Sequence, residues 1–289
     1  MPPAQPRPED PRSPGPAAGG VASPFKLITV DEVDSTSTMS KRLCAADAPD
    51  GTLVWARRQT EGRGRLSRTW ISPFGNLYVS LILRPDADPV RSAGLSFVAA
   101  VAVADAVAAL LGREAQVRCK WPNDVLVGGR KIAGILLESA TTAAGLLEWV
   151  VIGIGLNVAS HPPDSETMYP ATSLATEGAA SVDVEEALGV LSRHLDLWLR
   201  RWADDGFPAV RAAWIDRAHG LGEPIAIRCG DETFLRGVFR GLDEDGALIL
   251  DQDGALRCVT AGDVLPGEAQ SATVPATSPA TSPATSSAS

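Results

Sequence analysis

The residues best suited to chemistry lie in a short basic stretch, residues 57–68, of a chain that is otherwise acidic. Five arginines occupy these twelve positions. Within the stretch, Gly62-Arg-Gly-Arg65 alternates small and basic residues, so the backbone can approach a ligand closely and present its amide N–H groups. Guanidinium groups bind phosphate and carboxylate oxygens through paired hydrogen bonds. The pattern favours an anion-binding loop over a merely solvated basic loop.

A second candidate is the segment Lys120-Trp-Pro-Asn-Asp-Val-Leu-Val-Gly-Gly-Arg-Lys-Ile-Ala-Gly134. Gly128-Gly129 predicts a two-residue hairpin turn, which places three pairs of residues opposite each other: Val127 and Arg130, Leu126 and Lys131, and Asp124 and Ala133. Asp124 and Lys131 then emerge on one face of the sheet. Such a pair could balance charge at a reacting acid or accept a proton from a nucleophile. A surface ion pair worth less than about 1 kcal/mol remains an equal alternative.

A third candidate, Val151-Ile-Gly-Ile-Gly-Leu-Asn157, lacks the third glycine of a dinucleotide-binding fingerprint, because position 158 is Val. Its composition indicates a buried strand whose glycines leave room for a neighbour or a ligand. The three histidines (161, 194 and 219) have no metal-ligand spacing, so no protein metal site is expected.

Composition limits the function further. The 289 residues carry a net charge of −9 and are 45% hydrophobic, which suggests about two domains. The negative charge argues against nucleic acid as the main partner. No apolar run approaches the ~20 residues of a membrane span. The four cysteines lie far apart, which suggests reduced thiols and a cytoplasmic protein.

The elements that would position these residues alternate between strand and helix. Strands are predicted at 25–30, 52–56, 77–83, 117–127, 131–138 and 147–158, and helices at 35–46, at 95–111 and around Trp198 and Trp214. From about residue 220, short strands joined by tight turns predict a small β-barrel. The predicted fold is therefore α+β, a mixed sheet packed with helices, followed by a small SH3-like barrel.

Two terminal segments differ in composition from this body. Eight of the 22 prolines lie in the first 24 residues, and three Pro-Ala-Thr-Ser units fill 275–286. Neither segment has enough apolar residues to offset the entropy of ordering. The predicted organisation is a disordered leader over 1–24, a catalytic domain over 25–219, a small β domain over 220–266 and a disordered tail over 267–289.

The order and spacing of the motifs resemble those of the biotin–protein ligases. The segments that match, within residues 27–266, are Asp34-Ser-Thr36, Gln59 with Gly62-Arg-Gly-Arg65 and Trp70, Ser72-Pro-Phe-Gly-Asn-Leu-Tyr78, Lys120-Trp-Pro-Asn-Asp124, Arg130-Lys-Ile-Ala-Gly-Ile135 and Gly153-Ile-Gly-Leu-Asn157. The resemblance implies a two-step reaction with biotin, ATP and Mg²⁺. Biotin's carboxylate attacks the α-phosphate to give biotinyl-5′-AMP, and a lysine of a biotin carboxyl carrier domain then attacks the adenylate. The carrier belongs to acetyl-CoA carboxylase or another biotin-dependent carboxylase.

The resemblance also implies which residues meet biotin. Ser35, Thr36 and Ser37 would lie beside its ring system, with Gln59 close by. The family usually has Asn after the Ser-Thr pair, whereas this chain has Ser37, and the shorter side chain puts one ring contact in doubt.

Other matches concern the adenylate. The loop that closes over it would include Arg63, Gly64 and Arg65. An aromatic near the adenine matches Trp70, and the nucleotide side includes Asn157.

The remaining matches lie around the reacting groups. Lys131 matches the lysine that meets the biotin carboxylate and the phosphate. Asp124 matches the residue proposed to help deprotonate the acceptor lysine. Asn123 and Gly134 complete the expected binding set.

Alternatives remain open. The nearest is a lipoate–protein ligase, which is similar in fold and adenylate chemistry; the others are a DNA-binding biotin sensor and a non-catalytic binding module. Some relatives carry a helix-turn-helix before the catalytic domain, and the 24-residue leader is too short for one, so the expected form is a ligase without a repressor module. A monomer or a homodimer is expected.

Overall fold

The structure is a computed structural model that describes Val21 and residues 25–85, 92–112, 116–230 and 233–265. The predictions of a disordered leader and tail therefore fall, apart from Val21, outside the described residues. Val21 is buried against the main core.

A seven-stranded mixed sheet forms the larger part of the molecule, in the order β1-β2-β3-β7-β6-β5-β4. The strands are β1 (Lys26–Val33), β2 (Thr52–Gln59), β3 (Leu77–Leu83), β4 (Val117–Lys120), β5 (Asp124–Val127), β6 (Arg130–Thr141) and β7 (Leu147–Leu156). Only β1 and β2 pair in parallel; the other neighbours in this sheet are antiparallel. The predicted mixed sheet is confirmed.

The described residues form four α-helices, which pack against this sheet or against one another: α1 (Thr36–Ala45), α2 (Leu95–Leu111), α3 (Val184–Asp205) and α4 (Phe207–Asp216). Twelve of the seventeen residues of α2 are buried, because its Ala- and Val-rich sequence leaves no polar face and α3 and α4 pack against it. No helix in the described part of the chain is long and apolar enough to cross a membrane.

Because side chains alternate along each strand, one face of the sheet is apolar and the other carries glycines and polar residues. Along β7, Ile152 and Ile154 point into the main core beneath α2, while Gly153 and Gly155 point to the opposite face. On β3, Ser80 lies on that same opposite face, against α1. This second face carries the polar residues singled out in the sequence.

The segment predicted as one strand over 117–127 is a hairpin of two strands. The break contains a cis peptide bond between Trp121 and Pro122, and it places Lys120 directly opposite Asp124. A proline has no N–H with which to continue the ladder, so the strand turns at this point.

The Gly128-Gly129 turn is confirmed, and both glycines have positive φ angles. The predicted pairing of Asp124 with Ala133 is wrong. A β-bulge shifts the register between Val125 and Leu126, so that Asp124 lies opposite Gly134. The bulge arises because β6 carries one extra residue against β5, which a prediction from ideal alternation cannot anticipate.

The small C-terminal domain is a five-stranded antiparallel sheet in the order β11-β10-β9-β8-β12. Its strands are β8 (Pro224–Arg228), β9 (Phe234–Leu242), β10 (Leu248–Gln252), β11 (Ala255–Val259) and β12 (Asp263–Val264). Phe239 packs edge-to-face on Trp214 of α4, which ties this sheet to the helical layer. The short β12 was not predicted from the sequence.

Candidate active site

A pocket of about 410 Å³ opens on the polar face of the large sheet. All thirteen site residues predicted from the sequence line it: Ser35, Thr36, Ser37, Gln59, Arg63, Gly64, Arg65, Trp70, Asn123, Asp124, Lys131, Gly134 and Asn157. These residues come from α1, the basic loop and the central strands. The fold therefore brings distant motifs to one cavity.

The basic loop forms a small β-hairpin, here called the arginine hairpin (residues 62–70). The backbone N–H of Trp70 donates to Gly62 O at 2.9 Å, and the backbone N–H of Gly64 donates to Arg68 O at 2.7 Å. The connecting turn has Leu66 and Ser67 at its centre, both with positive φ angles of 53° and 59°. A turn of this shape favours Asn-Gly, so Leu-Ser makes the hairpin intrinsically strained.

The arginine hairpin is held by the small domain. Three consecutive residues before and in β12 each bind a cation of the pocket. Arg65 donates to Gly262 O at 3.5 Å, and Arg68 forms an ion pair with Asp263. The third contact is a hydrogen bond of 3.3 Å from Lys120 Nζ to Val264 O. The small domain therefore forms part of the pocket wall.

At the centre of the pocket, two lysines bind the Asp124 carboxylate, one at each oxygen. Lys131 Nζ lies 2.6 Å from Oδ1 and Lys120 Nζ lies 3.0 Å from Oδ2. Asp124 is 7% exposed and Lys120 is 5% exposed, whereas the Lys131 side chain is 26% exposed. The group is therefore a buried triad, and the alternative of a surface ion pair does not hold.

The charges around Asp124 decide its protonation. Burial alone would raise its pKa, but the two ammonium groups of Lys131 and Lys120 outweigh burial and lower the pKa to about 2. Asp124 is therefore ionised at neutral pH, and it is a weak base as long as both lysines remain bound to it.

Trp70 lies flat over a floor made of two glycines. Gly134 and Gly155 are register partners on β6 and β7. A Cβ atom at Gly155 would lie 2.4 Å from the indole, and one at Gly134 would lie 3.0 Å from it. The ammonium of Lys131 lies 5.3 Å from the centre of the ring. Gly155 must therefore be glycine for the indole to reach this depth, whereas a side chain at Gly134 would require a smaller shift of the ring.

The opposite end of the pocket is lined by hydroxyl and amide groups. Gln59 Oε1 accepts hydrogen bonds from Thr36 N–H at 2.8 Å and from Thr36 Oγ1 at 3.1 Å. Ser80 Oγ lies 2.8 Å from Thr36 Oγ1 and 3.1 Å from Ser37 Oγ. Gln59 Nε2 donates to Ser72 Oγ at 3.0 Å. These uncharged groups suit a polar ring that carries no charge.

Two predicted residues use their amides to hold the structure. Asn157 Nδ2 donates to Thr172 O at 2.9 Å, and Asn123 Nδ2 donates to Ile135 O. Both side chains line the pocket, but these bonds fix the turns beside it. Their amide N–H groups are therefore partly committed to the protein.

Sequence reasoning missed several residues of the site, namely Lys120, Arg68, Ser80, Tyr169 and Asp263. Tyr169 places its ring 4.6 Å below Lys120 Nζ and its hydroxyl 3.2 Å from His219 Nε2. Lys120 could have been found, since it stands four residues before Asp124 across a proline. The sequence carries no local signal that brings Asp263 to Arg68.

Two protein-family models match this chain. The family model described as "Biotin/lipoate A/B protein ligase family" matches residues 29–157. The one described as "Biotin protein ligase C terminal domain" matches residues 220–265. These ranges fall on the seven-stranded and the five-stranded sheet, respectively.

Similar proteins are known in several bacteria. A biotin–[acetyl-CoA-carboxylase] ligase of Paracoccus denitrificans is 40% identical over 237 residues, which is 81% of this chain and 98% of that protein. One of Mycobacterium tuberculosis is 34% identical and covers 83% and 88% of the two chains. Among solved structures, the Aquifex aeolicus biotin protein ligase in complex with biotin and ATP aligns with a TM-score of 0.68 at 27% identity, over 83% of this chain and 97% of that one.

Proposed function

The chain belongs to the family of biotin protein ligases, and on this basis we infer that it catalyses the ATP-dependent attachment of biotin to a protein. Biotin and ATP form biotinyl-5′-AMP with release of pyrophosphate. A lysine amine of a carrier protein then attacks the acyl carbon, loses a proton, forms an amide with biotin and releases AMP. The observation that carries this conclusion is the pocket itself, which has uncharged polar groups at one end and is otherwise lined by five cationic side chains, those of Arg63, Arg65, Arg68, Lys120 and Lys131.

The two ends of the pocket fit the two substrates. We assign the ring system of biotin to the end formed by Ser35, Thr36, Ser37 and Gln59. The adenylate belongs at the other end, beside Trp70. The biotin carboxylate and the α-phosphate then meet in the middle, where Arg and Lys side chains offset the repulsion between two anions.

Arg63, Arg65 and Lys131 are the cations available for this task. Lys131 is the most accessible member of the buried triad, so its ammonium can turn from Asp124 to an incoming anion. Arg65 belongs to the arginine hairpin, whose closure would exclude water from the reactive anhydride. Gly64 beside it leaves the hairpin backbone free to approach the phosphate.

The basicity of Asp124 depends on this movement. When Lys131 turns to the adenylate, Asp124 loses one of the two charges that lower its pKa. Its carboxylate then becomes a better acceptor for a proton of the attacking lysine. Adenylate formation would thus prepare Asp124 for the second step.

Mg²⁺ would enter the site as part of the ATP substrate. Among the described residues, no cluster of three or more His, Cys, Asp or Glu side chains could hold a metal ion. Mg²⁺ commonly binds to substrate phosphates with only one or two carboxylates. Asp124 and Asp263 are ion-paired, so we propose that phosphate oxygens hold Mg²⁺ and that Glu166, exposed at the pocket rim, is the available carboxylate.

We also propose that the catalytic domain spans 25–219 and that the small β domain spans 220–266. The acceptor is a biotin carboxyl carrier domain of acetyl-CoA carboxylase or of another biotin-dependent carboxylase. The protein acts in the cytoplasm as a monomer or homodimer, without nucleic acid as a partner.

The direct test gives the purified chain ATP, Mg²⁺ and either biotin or lipoate, with a carrier domain as acceptor. Pyrophosphate release and the mass of the acceptor are both recorded. Transfer of biotin with formation of biotinyl-5′-AMP is expected. Transfer of lipoate alone, or biotin binding without pyrophosphate release, would overturn the proposal.

A further inference from the structure

A chain of hydrogen bonds runs beneath the uncharged end of the pocket. It links Ser37, Ser80, Thr36 and Gln59 in that order. Ser80 lies on β3, is fully buried and stands opposite Gly153 in the register of β3 and β7. It does not line the pocket, so its hydroxyl acts only through its neighbours.

The direction of every bond in this chain follows from counting hydrogens. Gln59 Oε1 accepts from Thr36 N–H, which fixes the orientation of the amide group. An amide oxygen only accepts, so Thr36 Oγ1 must donate its single hydrogen to Oε1.

The next two bonds are then determined. Since Thr36 Oγ1 has no second hydrogen, Ser80 Oγ must donate to it at 2.8 Å. Ser80 then has no hydrogen left for Ser37. The 3.1 Å contact between the two serines is therefore a bond that Ser37 donates.

These bond directions determine how the hydroxyl of Ser37 can bind a ligand in the pocket. Its only hydrogen points inward at Ser80, so towards a ligand its oxygen can only accept. Gly153 keeps the site open, because a Cβ atom there would lie 2.5 Å from Ser37 Oγ. An Asn, the usual residue of the resembled family here, could both donate and accept.

We propose that Ser80 is a positioning residue that polarises Ser37, and that Ser37 recognises a ring N–H group of biotin and rejects a ring atom that only accepts. The inference rests on the proposed function and makes it more specific. The cyclic urea of biotin presents two N–H donors, whereas a cyclic carbamate presents an oxygen in place of one of them. An acceptor opposite an acceptor leaves a buried oxygen unpaired, which costs affinity.

The experiment measures binding of biotin and of the two cyclic carbamate analogues, each with oxygen in place of one ring N–H, by titration calorimetry. Wild type should prefer biotin to one of the carbamates by at least about tenfold. In Ser80→Ala the hydroxyl of Ser37 can turn towards the ligand and donate, so this preference should fall by about tenfold. Ser80→Thr keeps a hydroxyl and should restore it.

Ser40→Ala is the matched control. Ser40 lies on α1, as Ser37 does, and is fully buried. Its hydroxyl has no hydrogen-bond partner among the described residues. The preference for biotin should be unchanged in this variant. If Ser80→Ala does not fold, Ser37→Ala gives the second test, because it removes the acceptor and should reduce the same preference.

Each outcome has a separate meaning. Equal preference for biotin in wild type, Ser80→Ala and Ser37→Ala would overturn the inference and leave the proposed function intact. An unchanged affinity ratio with a uniform loss of binding in Ser80→Ala would reduce Ser80 to a structural residue and would also overturn it. Failure of the wild-type protein to bind biotin would instead overturn the proposed function.

Discussion

The carboxylate of Asp263 binds the guanidinium of Arg68, a residue 195 positions earlier in the chain. Burial would raise the pKa of Asp263, but the hydrogen bond and charge of Arg68 outweigh burial and lower it. The contact anchors the arginine hairpin to a residue of the small domain.

Replacing this carboxylate should therefore loosen the hairpin. In Asp263→Asn we expect biotinyl-5′-AMP to leave the enzyme about tenfold faster, because the hairpin loses an ion pair to its anchor. The release rate of the purified adenylate from the complex measures this. Asp251→Asn is the control, since its partner is Arg240 within the small domain. Equal release rates for both variants would show that the anchor does not matter.

Lys131→Met should slow adenylate formation by about a hundredfold or more, because only Arg63 and Arg65 then remain to offset the repulsion between the two anions. Pyrophosphate release under single-turnover conditions is the measurement. Lys26→Met, on the exposed start of β1, provides a lysine substitution away from the pocket. A wild-type rate in Lys131→Met would remove Lys131 from the mechanism.

The glycine floor predicts a graded effect on the nucleotide. Gly155→Ala places a methyl group 2.4 Å from the Trp70 indole and must displace the ring, whereas Gly134→Ala at 3.0 Å requires a smaller shift. We expect the KM for ATP to rise more in Gly155→Ala than in Gly134→Ala, with little change in biotin affinity. Kinetics at varied ATP and calorimetry with biotin test this order. The reverse order would contradict the assignment of Trp70 to the adenine.

Strain in the turn at Leu66 and Ser67 predicts that a substitution there can stabilise the arginine hairpin. Glycine adopts positive φ angles without strain, so Ser67→Gly should stabilise the closed arginine hairpin. Release of the adenylate should slow several-fold, and trypsin should cleave at Arg63, Arg65 and Arg68 more slowly. Faster release or faster cleavage would mean that the turn does not limit closure.

The free energy of unfolding should depend on pH through the ionisation of Asp124. The pKa of Asp124 is about 2 in the folded protein, below the value of about 4 for an unfolded aspartate. Its ionised form therefore stabilises the fold above about pH 4, and this contribution is lost as the pH falls towards 2. Asp124→Asn should reduce the free energy of unfolding by about 3 kcal/mol at pH 7, since it leaves the buried ammonium of Lys120 and the partly exposed one of Lys131 without their anion.

The difference in the free energy of unfolding between wild type and Asp124→Asn should then become smaller as the pH falls below about 4. Urea denaturation of both proteins from pH 7 to pH 3 measures it. A difference that stays constant over this range would place the Asp124 charge outside the energetics of folding.

Local patterns in the sequence predicted much of the fold. The Gly128-Gly129 turn, the Ala- and Val-rich α2 and the change to short strands near residue 220 are each visible within a few residues. The hairpin at Trp121-Pro122 was missed although the proline marks the break, because strand-like apolar residues lie on both sides of it. The bulge opposite Asp124 was hidden, since one extra residue leaves no mark on composition.

The site was predicted less completely than the fold. Residues with conspicuous chemistry, such as Arg65 and Lys131, could be singled out by type. Ser80 could not, because its importance comes from which atoms its single hydrogen reaches, and this depends on the register of β3 against β7 and α1. Asp263 depends on the docking of two domains, which no short window of sequence encodes.

The reach of Gly262–Val264 into the pocket also bears on when this enzyme first becomes active in a cell. Arg65 and its acceptor are 197 residues apart, so a ribosome completes the arginine hairpin long before it makes the strand that anchors it. A nascent chain that has folded its large sheet would still lack the contacts of Gly262 and Asp263 with the arginine hairpin. Translation of the last strand would then be the event that lets the protein retain a reactive anhydride.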